Sequence, residues 1–87
     1  MFDRCDPTKS AQNKGKHGLD FQEAQSLWAD SNLLVSPTRN SGDELRQLNI
    51  GVIDGKDWTA ITTMRGDLIR IISVRRSRKK EVEAYES

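Results

Sequence analysis

Apolar residues recur at helical spacing in one stretch of the chain and with a period of two in four others. Phe21, Ala24, Leu27 and Trp28 fall on one stripe of a helix, which makes Trp28 a core residue rather than a stacking platform. Asp20 and Glu23 have the spacing of a capping box, and Leu19 and Ala24 stand where a hydrophobic staple places them. After Asp30 the period changes. Leu33 to Arg39, Leu45 to Val52, Lys56 to Met64 and Leu68 to Arg75 read as strands. Asp54-Gly55 is a two-residue hairpin signal, Arg65-Gly66-Asp67 supplies a second tight turn, and Asn40 to Asp43 makes a third. The Arg-Gly-Asp tripeptide reads as that turn, not as an adhesion ligand.

The flanks complete the pattern. Phe2 to Cys5 reads as a short strand. Asp6 can cap a helix whose first turn takes Pro7 and which runs to about Lys16, with Gly15 weakening its end and Gly18 free to close it. Ser77 stands as the cap of a last helix through Glu86 that turns Val82 and Tyr85 toward the sheet. The expected fold is α+β, with two N-terminal helices packed on an antiparallel sheet and a C-terminal helix. In Leu68 to Arg75, Ile69, Ile71, Ser73 and Arg75 alternate with Leu68, Arg70, Ile72 and Val74. Both sets are largely apolar, which suggests a central strand. Arg65 ends the neighbouring alternate series, so connectivity suggests one basic cluster with Arg75 and Arg76.

Eighty-seven residues fit one domain, residues 1–87, with a modest core. A mean hydropathy of −0.73 and no long apolar window argue against a membrane span. The Met-Phe-Asp-Arg-Cys-Asp start lacks a secretory pattern, so a cytoplasmic location is expected. One cysteine, Cys5, and one histidine, His17, build neither a disulfide nor a zinc site. The formal charge of +1 conceals an asymmetry: residues 65–80 carry seven arginines and lysines against Asp67 alone, a net +6, and the remainder carries −5. Such a cationic end suits a phosphate-rich ligand or an acidic partner, the plainer alternative being a solvated helix face. A helix-turn-helix reader of DNA is disfavoured by the acidic second helix.

RNA can be cut without metal when the 2′-hydroxyl attacks the adjacent phosphate and cations hold the charge of the five-coordinate transition state. Arg65, Arg75 and Arg76 are candidates for that role, since guanidinium offers paired donors to phosphate oxygens. Proton transfer falls to a mixture of His17, Tyr85, lysine or a carboxylate. His17 is equally well read as a helix-end residue, and Tyr85 as a packing residue with a wet hydroxyl. Lys14, Lys16, Arg78, Lys79 and Lys80 are candidate RNA contacts.

In order and spacing these residues resemble the BrnT family, the toxin half of a type II toxin-antitoxin pair. Asp6-Pro7-Thr8-Lys9, Asn13, Lys16-His17-Gly18 and Phe21, Glu23, Ala24 are similar to its opening D-P-x-K, N-x-x-K-H-G and F-x-E-A. Glu44, Arg46, Ile50 and Gly51 are similar to E-x-R-x-x-x-I-G. Arg65 to Ser77, with Glu81 to Glu86, resembles the closing I-R-I-I-S-x-R-R and Y-E. One departure is Cys5, where the family usually has tryptophan, which would bear on potency more than on fold. The resemblance implies a RelE-like fold, a ribonuclease that stops translation, no cofactor, and a BrnA-type antitoxin through which the complex reaches operator DNA. It places Arg65, Arg75, Arg76 and Tyr85 at cationic and tyrosine positions of RelE-like toxins, and Lys16 and His17 in the family's own motif. A catalytically inactive homologue, kept as a nucleic-acid or antitoxin-binding module in operon autorepression, would share all these residues.

Overall fold

The computed structural model describes residues 1–38 and 45–87, so the expected turn at Asn40 to Asp43 and the motif residue Glu44 lie outside the described residues. Helix α1 (Pro7–His17) begins where Asp6 accepts from the Thr8 and Lys9 amides. It ends where Gly18 adopts the left-handed conformation, φ 92°, and donates to the Lys14 carbonyl. Both ends match the expectation, and Gly15 does not shorten the helix. Helix α2 (Phe21–Ala24) carries the capping box between Asp20 and Glu23, then tightens into a 3₁₀ turn at Gln25–Ala29. The expected stripe survives this change of pitch: Phe21, Ala24 and Leu27 are buried, while Trp28 is half-buried edge-on to Phe2, with ring centroids 5.0 Å apart.

Strands β1 (Leu34–Pro37), β2 (Arg46–Ile53), β3 (Lys56–Arg65) and β4 (Leu68–Arg76) form an antiparallel sheet in the order β1-β2-β3-β4. Positive φ at Asp54 and Gly55, 51° and 78°, fits the β2–β3 turn expected of Asp-Gly. Helix α3 (Lys79–Glu86) closes the chain. The architecture is thus α+β, with a four-stranded antiparallel sheet and three helices; the second expected helix is a single α turn continued as 3₁₀.

Four details depart from the sequence reading. Strand β4 is an edge strand, not a central one. Its outer side is covered by other means: Met1 and Asp3 exchange hydrogen bonds with Ile69, and the Asn13 amide bonds both the N–H and the C=O of Val74. The expected first strand is therefore reduced to one parallel bridge between Phe2 and Ile69. The strict alternation in β4 fails because the β3–β4 register slips between Ile61 and Thr62, leaving Ile72 as an extra residue. Beyond this bulge Arg70 shares a face with Arg75, and Ile69 and Ile71 join Val74 on the other. Finally, Arg78 rather than Ser77 is the N-cap of α3. Ser77 instead bonds the Thr59 hydroxyl at 2.8 Å.

The core lies on one face of the sheet. Trp58, Ala60, Ile71 and Val74 meet Leu19, Phe21, Ala24 and Leu27 from the helices. Cys5 packs against this cluster, and burial raises its thiol pKa above the ordinary value. It also borders an open cleft of about 680 Å³ between the N-terminal segment and α1. On the opposite face α3 is tied down by polar bonds, and none of its residues is buried.

Candidate nucleic-acid interface

The cationic residues singled out in the sequence fall into three places. Arg65 faces Leu68 at one end of the β3–β4 hairpin, and Arg75 faces Thr59 near the other. Six strand positions, roughly 20 Å, separate the two arginines, so the structure does not bring Arg65 together with Arg75 and Arg76. Arg65 instead neighbours Arg70 diagonally, on the face where Arg70 and Arg46 flank Thr63 in one cross-strand row.

Arg75 is engaged within the protein. Its guanidinium forms a two-pronged bond to Glu81 at 2.7 and 2.8 Å. Glu81 also accepts from the Thr59 hydroxyl and the Arg78 amide. Arg75, together with these other donors, holds the Glu81 carboxyl down to about 2. A carboxyl lowered in the folded state stabilises the protein above its unfolded value, near 4.5, and that contribution disappears as pH falls toward about 2. Glu81→Gln should therefore cost about 2 kcal/mol at neutral pH, because Arg75 is left half-buried without its partner. Urea midpoints should converge with the unsubstituted protein as pH drops through that window; a gap unchanged in acid would mean the pair contributes nothing.

Tyr85 is engaged as well. Its hydroxyl donates to Asp30 Oδ2 at 2.5 Å, and Asp30 further accepts from the Val52 and Asn32 amides. Facing that carboxylate pushes the phenol up to about 12. Both groups thus fasten α3 to the sheet, a role invisible in the sequence because Glu81 and Asp30 lie in other elements.

The third place is the end of α1. Its last turn carries Lys14, Lys16 and His17 at the negative end of the helix dipole. Lys14 pairs with Glu23 at 2.7 Å across to α2 and faces away from the others' groove. Lys16 and half-buried His17 line a cleft of about 350 Å³ between α1 and the edge of β4, together with Lys9, Gln12, Ile72 and Ser73. Asn13 fixes the spacing of this cleft: buried, it donates to the Leu19 and Val74 carbonyls and accepts from the Val74 amide. Arg76 lies over the Trp58 ring, 5.5 Å from its centroid, and donates to the Asp57 carbonyl. The same indole lies beside Gly18, so Arg76 stands near the His17 end of α1. Arg78, Lys79 and Lys80 follow as exposed residues at the start of α3. Sequence reasoning missed Lys9, Gln12 and Ser73, which join the site only through the bulge and the docking of α1.

An imidazole and two ammonium groups, those of His17, Lys9 and Lys16, thus share one open cleft, with the Arg76 guanidinium on the Trp58 ring outside its lining. The family model for BrnT, the ribonuclease toxin of type II toxin-antitoxin systems, matches residues 5–81. The chain belongs to this family of ribonuclease toxins, whose systems pair the toxin with an antitoxin. A comparison with curated proteins gave no match.

Proposed function

We propose that the chain acts as a cytoplasmic, metal-independent endoribonuclease on mRNA, its single domain spanning residues 1–87, and that it halts translation until a BrnA-type antitoxin covers it. The observation that supports this best is the shared cleft of Lys16 and His17 beside β4. Histidine is the side chain that takes and returns a proton near neutrality. In this reading His17 accepts the proton of the 2′-hydroxyl as its oxygen attacks phosphorus. The bond from phosphorus to O5′ breaks, leaving a 2′,3′-cyclic phosphate, and Lys16 protonates the departing O5′. Arg76 holds the charge that gathers on the non-bridging oxygens. Arg75 and Tyr85 support the site through α3, while Arg78, Lys79 and Lys80 extend the cationic surface for RNA. Operator DNA is reached only through the antitoxin.

The test uses the purified protein and end-labelled single-stranded RNA in the presence of a chelator. Cleavage yielding cyclic-phosphate ends is expected. Cleavage abolished by the chelator would overturn the metal-free route, and RNA bound but left intact would leave a binding module in place of an enzyme.

A further inference from the structure

Two hollows meet at the bulge in β4. The larger holds Lys9, Lys16 and His17. The smaller, about 50 Å³, is bordered by Arg4, Lys9 and Arg70. Both share Lys9, Phe21 and Ile72, so they form one groove along the outer edge of the strand. Among the described residues, none of Arg4, Lys9, Lys16 or Arg70 has an ion-pair partner, unlike Lys14 and Arg75. The one acid on the groove, Asp6, is occupied with the Thr8 and Lys9 amides at the start of α1. Four unpaired cations along a groove make a polyanion its natural occupant, because each neutralised phosphate releases counterions. The extra residue Ile72, half-buried at the bulge, adds apolar surface against which a nucleoside can rest.

We propose that this groove is a phosphate track: Arg4, Lys9 and Arg70 bind backbone phosphates of single-stranded RNA flanking the bond cut at His17. The inference rests on the ribonuclease reading above and adds a direction to it, since the strand runs from the end of α1 past the bulge toward the N-terminal segment. A substrate with one phosphodiester cannot reach Arg4 and Arg70 while seated at His17, whereas an RNA of about ten nucleotides can.

The experiment compares a dinucleotide with an RNA of about ten nucleotides, using unsubstituted protein, Arg4→Ala and Arg70→Ala, the two cations that border only the smaller hollow. Each substitution should weaken binding of the longer RNA about threefold to tenfold and reduce the slope of log affinity against log salt by about 0.7. Each should leave kcat/KM for the dinucleotide within about twofold. Equal losses on both substrates, or an unchanged salt slope, would overturn the track. So would variants that hold RNA normally and lose only the antitoxin, an outcome that assigns the groove to an acidic protein segment. If the unsubstituted protein cuts neither RNA, the ribonuclease reading fails on its own account, while the salt slopes still decide whether the groove binds phosphate.

Discussion

His17→Ala should lower kcat/KM for RNA by about two to three orders of magnitude, with affinity for uncut RNA changed little. The side chain stands at the closed end of α1, where Gly18 turns back to the Lys14 carbonyl. This fixes it at the mouth of the cleft with Lys16 and Ser73. In the proposed route, removing the imidazole leaves the cations assigned to phosphate and takes away the group assigned to the proton, so the loss belongs in the chemical step. Tyr85→Phe is the matched control, because the Tyr85 hydroxyl already donates to Asp30; it should cost less than about tenfold. Single-turnover cleavage of labelled RNA, with binding measured separately, separates the two. If Tyr85→Phe fell as far as His17→Ala, the chemistry would belong beside α3 instead.

The largest expected effect on stability is at Asn13. Its one amide serves three backbone groups, the Leu19 carbonyl at 2.7 Å, the Val74 carbonyl at 2.8 Å and the Val74 N–H at 3.2 Å. Val74 is fully buried and Leu19 nearly so, so Asn13→Ala strands polar groups where water reaches poorly. A loss of about 3 kcal/mol is expected. For a chain of this length that is a fall in Tm of roughly 12–24 °C. Asn13→Asp should be no milder: it keeps the acceptor for the Val74 N–H and turns a carboxylate toward two carbonyls. Thermal melts of both variants decide the point. A shift near zero would show that solvent or a small rearrangement replaces the amide. The same substitution should impair RNA cleavage beyond its effect on folding, because Asn13 sets the distance between α1 and β4.

Much of this fold was legible from local chemistry. Asp6-Pro7 and Gly18 bound α1, Asp20 and Glu23 start α2, and Asp54-Gly55 turns β2 into β3, because each signal acts within a few residues of itself. What escaped was everything decided across the chain. The apolar run of β4 suggested burial on both faces, yet the strand is at the edge, and its bulge returns Ile69 and Ile71 to the side of Val74. A one-residue slip reverses every assignment beyond it, and nothing in the spacing marks where it occurs. The candidate site divided in the same manner. Lys16 and His17 stood together in sequence and stand together on the cleft. Arg65 and Arg75 stood close in topology and lie at opposite ends of a hairpin. Arg75 and Tyr85 were read as available groups, whereas Glu81 and Asp30 hold them.

Helix α3 contributes no buried side chain and is fastened by charged and hydroxyl contacts, chiefly those of Glu81 and Tyr85. Its detachment therefore exposes little oily surface, and the free energy it requires is small beside that of unfolding the sheet. The C-terminal segment is therefore expected to open before the sheet does, with faster amide exchange in α3 than in β3 and β4. Each opening would part Arg75 from its carboxylate and uncover the face around Thr59, changing the charge of that surface while the core stays as it is.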